Sequence, residues 1–313
     1  MKLDNRIIPI LVAAIGIYAI FLFISDYNVI TEKISSFKIN YLPLILLLVS
    51  ASWVPLIIKW HFLLKNSEIN IPLTKSIAVF FSGAAFEITP GQIGTLIKSQ
   101  LLKTSSNISR TKTVPIVIIE KIYDLIGAIL ASVIGIIILG MEFYLIIIAI
   151  SSLVVIFFFM YYKPASELFF DRITKLKFFS KYVENISEFN EVIKKSTNVK
   201  VATICILLAL TYWFMVSAAA YYTLIAFDVN VLDYLKVLAI YTTSSLLGAI
   251  SFIPGGIGIT EGSIAGLFTL NGIDVSTALI LSVMIRVLTL WYTVCIGFIA
   301  LKFTGGLSFK QNS

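Results

Sequence analysis

The chain has 313 residues, of which 58% are hydrophobic and 13% charged, and its formal net charge is +7. A soluble domain carries about 25% charged residues, so this composition excludes an ordinary soluble domain. The basic residues stand in short flanks of apolar runs, where they set topology and meet anionic lipid. That distribution argues against nucleic acid as the partner.

The first apolar run, 7–25, follows Lys2 and Arg6. It has the flanks of a secretory signal, but its end reads FLFISDYN, without a small-x-small cleavage site. A retained first helix is therefore expected. The second run, 42–64, closes on KWHF, and His61, the single histidine, reads as an interfacial residue rather than a ligand. About 20 residues cross a bilayer at helical rise. The runs 113–140, 143–162, 200–226 and 276–301 meet that length. Cys205 and Cys295 lie in these runs and read as small buried hydrophobes. Alternating ten-residue strands are missing, which argues against an outer-membrane barrel. The expected class is an all-α polytopic integral membrane protein.

Two further apolar stretches, 72–89 and 233–253, end at related phrases, ITPGQIG and FIPGGIG. Pro90, Gly91, Ile93 and Gly94 match Pro254, Gly255, Ile257 and Gly258. Proline disfavours helix at the preceding residue and removes a donor, and glycine permits positive φ. Each phrase thus reads as helix stop, turn and helix restart. Each is preceded by a full span and followed by a short helix and another span. That later span holds a basic residue, Lys121 at 31 residues after Pro90 and Arg286 at 32 after Pro254. The order of elements suggests two repeats, about 42–140 and 200–303, within a single transmembrane domain. Three crossings separate their starts, so the second copy is expected to be inverted, with re-entrant or broken helix pairs meeting near the midplane.

If each phrase sits in a hairpin and the N-terminus is cytoplasmic, 19 basic residues fall on the cytoplasmic side and 3 on the other, with Lys121 and Arg286 inside spans. Reading 72–104 as one broken crossing inverts that bias midway. The expected location is the plasma membrane, with both termini cytoplasmic. Between 163 and 198, Phe169, Ile173, Leu176, Phe179, Val183, Ile186, Phe189 and Ile193 recur at helical spacing. This segment either packs on the bundle or lies on anionic lipid; both readings stay open.

A restarting helix offers free N–H groups and partial positive charge, suited to phosphate. The alternative is close packing of small residues. In the third long run, EKIYD places Glu120, Lys121 and Asp124 on one or two helical turns. Lys121 lies roughly 13 Å deep at helical rise. A charge at mid-membrane costs on the order of 3 kcal/mol or more. Such residues face the bundle interior, where they pair or bind something charged. Arg286 has Glu261 or Asp124 as candidate structural partners. Glu261 reads as a cap of its own helix or as a carboxylate facing a cation, and Glu87 as a cavity or cytoplasm-facing residue. No Cys/His cluster suits zinc, no adjacent Gly-Lys forms a P-loop, and no Gly-x-Ser-x-Gly elbow is present. No cofactor, metal or catalytic residue is expected.

TPGQIG, EKIYDLIGAIL, FIPGGIGITEG and IRVLTLWY…GFIAL resemble the integral-membrane part of the lysylphosphatidylglycerol synthases, the flippase-like domain family, over residues 5–305. In the two-domain members of that family a soluble domain performs aminoacyl transfer, and the membrane part is linked to lipid movement. The resemblance implies lipid translocation rather than lysyl transfer, since the longest hydrophilic loop is about 35 residues. It carries over onto Glu87, Pro90, Gly91, Gly94, Glu120, Lys121, Asp124, Pro254, Gly255, Gly256, Gly258, Glu261 and Arg286. Where members often have arginine, this chain has Lys121, which keeps the charge and loses the bidentate fork. The expected activity is translocation of an anionic or polyprenyl-phosphate-linked lipid. The alternatives are an intramembrane lipid-modifying transferase, or an accessory subunit of a separate lipid or glycan synthase.

Overall fold

The structure is a computed structural model that describes residues 35–138, 143–162 and 185–304, with a few isolated positions elsewhere. The 7–25 run and most of the 163–198 segment lie outside the described residues. Every regular element among the described residues is helical, as the sequence predicts for an all-α membrane protein. The elements are α1 (Leu42–Asn66), α2 (Leu73–Ala84), α3 (Ile97–Ser106), α4 (Arg110–Ile138) and α5 (Phe143–Tyr161). They continue with α6 (Ile186–Ser196), α7 (Val199–Ala226), α8 (Tyr234–Ile250), α9 (Ile259–Leu270), α10 (Val275–Arg286) and α11 (Tyr292–Phe303). A π-helical turn, Val287–Trp291, joins α10 to α11.

Local chemistry fixes the ends. Asn198, Asp233 and Asp274 each accept a hydrogen bond from a backbone N–H in the first turn of α7, α8 and α10. Such caps satisfy donors that the helix leaves open. Among the described residues, three continuous helical stretches are long and apolar enough to cross a membrane: Ile39–Asn66, Val199–Ala226 and Val275–Phe303. α4 is as long, but it carries Glu120, Lys121 and Asp124 through its middle.

The two Pro-Gly phrases break the chain as expected. α2 stops at Ala84, and the chain runs through 3-10 turns to α3. α8 stops at Ile250, and α9 restarts at Ile259. The helical part of the first apolar stretch ends five residues earlier than its hydropathy, because Thr89 and Phe86 bonds tighten the chain before Pro90.

Long helices α1 and α7 pack on each other along much of their length. Two further extensive contacts cross between the two halves. α2, which leads into the first phrase, packs on α11, and α8, which leads into the second, packs on α4. Both contacts are closed by glycine. A Cβ at Gly135 in α4 would lie 2.3 Å from the Ala239 Cβ of α8, and one at Gly297 in α11 would lie 2.3 Å from the Ala85 nitrogen after α2. Small residues let helix backbones approach where dispersion must hold them together. The phrases themselves meet at the centre, with the Phe252 ring against Gly91 and Gly255 beside Ile88.

One sequence reading changes, and one left open narrows for its described part. Cys205 is buried, but Cys295 is exposed on α11, and both are free thiols. The described part of the amphipathic segment, α6, turns Phe189, Val192 and Ile193 into the bundle, and Tyr123 Oη donates to the Ser196 carbonyl at 2.8 Å. Packing on α4 therefore accounts for its apolar face, rather than lipid.

Candidate functional site

Where the two phrases meet, a cavity of about 420 Å³ opens. The first phrase contributes Thr89, Gly91 and Gln92, and the second contributes Phe252, Ile253, Gly255 and Gly256. Glu87, Lys121 and Asp124 line it from the first half, and Arg286 from the second. The far wall is aromatic: Trp53 of α1, Tyr212 and Trp213 of α7, and Tyr241 of α8. Two of these rings are anchored, since Trp53 Nε1 donates to Thr293 Oγ1 at 3.2 Å and Trp213 Nε1 donates to the Asp124 carbonyl at 3.1 Å. The π turn follows Arg286 directly, and Thr289, Leu290 and Thr293 add to the lining. π-bulges are frequent at functional sites.

One stretch of α4 ties three other elements together. Lys121 Nζ stands 3.3 Å from Glu87 Oε1 and 3.8 Å from Asp124 Oδ2. Asp124 also pairs with Lys59 of α1, a lysine with no exposed surface. Glu120 points away from the cavity and accepts from Lys98 Nζ of α3 through both oxygens, at 2.7 and 2.9 Å. The Lys98 ammonium also lies over the Trp60 ring, 4.6 Å from its centroid, and over Phe80.

The second half has a tighter arrangement. Glu261 Oε2 accepts the Gly258 N–H at 2.7 Å, and its other oxygen accepts from Arg286 Nε at 2.9 Å. Both readings of Glu261 thus hold together: it caps its own helix and it pairs with a cation. Arg286 also donates to the Gly255 carbonyl. Gly255 has φ +62°, a conformation glycine adopts without strain, and this turns the carbonyl toward Arg286.

The cavity thus gathers Glu87, Lys121, Asp124, Arg286, Gly91, Gly255 and Gly256. It leaves out Glu120, Glu261, Gly94 and Gly258. The expected backbone donors are also largely spent. Gly94 N–H donates to Thr89 Oγ1 at 2.8 Å, Gln92 N–H to the Thr89 carbonyl, Gly256 N–H to the Ile253 carbonyl, and Gly258 N–H to Glu261. The side chains, not the turns, therefore carry the charge of this site. Pro90 and Pro254 act through the breaks they impose. Arg286 pairs with Glu261 rather than Asp124.

Sequence reasoning missed Lys59 and Lys98. Both were counted among cytoplasmic flanks, and both are buried, at 0% and 2% exposure. Removing them lowers that side from 19 to 17 against 3, which keeps the bias. Replacing Lys98 by methionine leaves the Glu120 carboxylate buried without its cation. Breaking a buried pair this way costs about 3–5 kcal/mol. The expected result is a clear drop in melting temperature in detergent, most of it recovered in the Lys98→Met/Glu120→Met double variant.

Over residues 9–297 the sequence matches the family described as the lysylphosphatidylglycerol synthase TM region. The chain belongs to that family. A UPF0104 membrane protein from Pyrococcus horikoshii is 24% identical over 287 residues, which span 83% of this chain and 85% of the relative. A second UPF0104 membrane protein, from Methanothermobacter thermautotrophicus, is 31% identical over 91 residues, 29% of this chain and 27% of the relative. Membership in the lysylphosphatidylglycerol synthase TM family locates the protein in a membrane and gives it a lipid-related function. Within that family's frame, the cavity is the region where the charged side chains of both halves converge.

Proposed function

We propose that the protein is a lipid translocase, of flippase or scramblase type, that passes the headgroup of an anionic or polyprenyl-phosphate-linked lipid through the central cavity. One observation carries this reading: Lys121 and Arg286, one from each half of the chain, line the same cavity between the two Pro-Gly breaks. A cavity of about 420 Å³ falls within the range of about 300–1,000 Å³ typical of small-molecule sites. It suits a headgroup and leaves the acyl chains to the bilayer.

In this reading Lys121 and Arg286 neutralise the phosphate. Arg286 offers the planar fork that suits phosphate, and Lys121 a movable point charge. Glu87 and Asp124 hold Lys121 in place between turnovers, and Glu120 and Glu261 are positioning residues. The aromatic wall presents apolar faces to the end of the headgroup that joins the lipid tail. The two halves are inverted repeats about the midplane. Their exchanged packing, α2 on α11 and α8 on α4, supports that reading, because each half completes the other's broken helix pair. With the 17-to-3 split of basic residues, the termini lie in the cytoplasm and the membrane is the plasma membrane. The protein itself is then a transporter and not an enzyme, and any lipid synthase is a separate partner.

The test is reconstitution in liposomes with headgroup-labelled phosphatidylglycerol and an impermeant quencher. Wild type is expected to expose inner-leaflet label well above protein-free vesicles. Lys121→Ala removes one charge-assisted contact of about 1.5–3 kcal/mol, so the rate is expected to fall by about 10- to 100-fold. Label that stays protected with wild-type protein would refute translocation of this lipid class. An unchanged rate in folded Lys121→Ala would remove its assigned role.

A further inference from the structure

The centre of the protein is closed in charge. Among the described residues it holds four cations, Lys59, Lys98, Lys121 and Arg286, and four carboxylates, Glu87, Glu120, Asp124 and Glu261, each engaged with an opposite charge. A phosphate headgroup that enters the cavity adds a negative charge to this balanced set. A membrane interior tolerates an uncompensated charge poorly, and a buried group responds by changing its protonation. The compensating positive charge has two sources: a proton on one of the carboxylates, or an amine carried by the headgroup.

The geometry singles out the carboxylate. Glu120 is bound to Lys98 through both oxygens and does not face the cavity. Glu261 is fully buried and divides its oxygens between Gly258 N–H and Arg286. Asp124 keeps Lys59 even if Lys121 leaves. Glu87 lines the cavity, its side chain is 24% exposed, and Lys121, at 3.3 Å, is the cation it meets. Lys121 is also the cation that a headgroup would draw away. The groups that bear on Glu87 are Lys121 and Asp124 on α4, Lys98 on α3, Tyr212 on α7 and Tyr241 on α8, with Arg286 across the cavity. Of these cations, Lys98 stays committed to Glu120, and Arg286 keeps its bond to Glu261 while it meets the phosphate.

We propose that an anionic headgroup is taken up together with a proton that binds Glu87, so that the loaded cavity stays electroneutral. The inference rests on the translocase reading. The proton comes from solvent and adds to a Glu87 carboxylate oxygen as Lys121 turns to the phosphate, and no covalent bond is broken. A pH gradient then drives anionic lipid toward the alkaline side. A zwitterionic headgroup brings its own cation and moves without a proton.

Calorimetric titration of the detergent-solubilised protein with short-chain phosphatidylglycerol, in buffers of different ionisation enthalpy, counts the protons. The expected uptake is roughly one proton per lipid, with affinity falling by up to about tenfold per pH unit on the alkaline side. Short-chain phosphatidylcholine, the zwitterionic probe, is expected to show no uptake. Glu87→Gln is expected to bind phosphatidylglycerol with no proton uptake and a flat pH profile. Glu68→Gln, at a surface pair with Lys195, is expected to keep the uptake. Binding of phosphatidylglycerol by wild type without proton uptake, at equal affinity from roughly pH 6 to 8, would overturn the coupling and leave translocation standing. Uptake that persists in Glu87→Gln would overturn the assignment to Glu87. No binding of either lipid, together with no movement of label in vesicles, would remove both readings.

Discussion

Arg286→Met is expected to unfold or strongly destabilise the protein and to reduce lipid movement to the level of protein-free vesicles. Arg286 is 6% exposed and Glu261 is 0% exposed, so the variant strands a buried carboxylate. The expected loss is about 3–5 kcal/mol, most of it the cost of the unpaired Glu261. Glu261 also accepts the Gly258 N–H, so its displacement frees the start of α9 and with it the second break. The Glu261→Gln/Arg286→Met double variant separates the two roles. It removes both charges, and the glutamine oxygen still accepts the Gly258 N–H. Its melting temperature in detergent is expected to recover most of the loss. Its translocation is expected to stay absent, because the guanidinium that meets the phosphate is gone. A double variant that regains both stability and lipid movement would reduce Arg286 to a structural ion-pair partner.

The sequence made the helix breaks legible because proline and glycine act locally. Pro90 and Pro254 are each followed by a glycine with positive φ, at Gly91 and Gly255, and the helix breaks there, whereas Pro55 and Pro115, without that glycine, lie inside α1 and α4. Lys121 and Arg286 were legible for a different reason: a charge inside an apolar run costs enough to need a partner or a cavity. Lys98 looked like an ordinary flank lysine eight residues after Pro90. Its long stem hides its destination, since it runs past Gly83, where a Cβ would lie 2.5 Å from Lys98 Cε, to reach Glu120. The aromatic wall had no local signal at all. Trp53 comes from α1, far in sequence from the α7 and α8 helices that carry Tyr212, Trp213 and Tyr241, and only the packing of the three brings them together. The backbone donors failed for a local reason: Thr89 and Glu261 sit close enough in sequence to take the Gly94 and Gly258 N–H groups.

Gly297→Leu and Gly135→Leu are expected to be about equally damaging, although the two glycines lie 162 residues apart. At Gly297 an added Cβ would meet backbone, the Ala85 nitrogen at 2.3 Å and its Cα at 2.8 Å. At Gly135 it would meet the Ala239 Cβ at 2.3 Å and its Cα at 2.4 Å. Backbone atoms cannot rotate away as a flexible side chain can, so each helix pair must part. Overpacking costs about 1–3 kcal/mol where side chains can adjust, and these contacts lie at or above the top of that range. Because α2 leads into the first phrase and α8 into the second, parting either pair shifts one wall of the cavity. Both variants are therefore expected to lower the melting temperature and to lose lipid movement, while Gly266→Ala, where nothing lies within 4 Å of the new Cβ, changes neither. Loss of function at only one of the two glycines would mean that the halves do not share the work, and the translocation path would then follow a single Pro-Gly break.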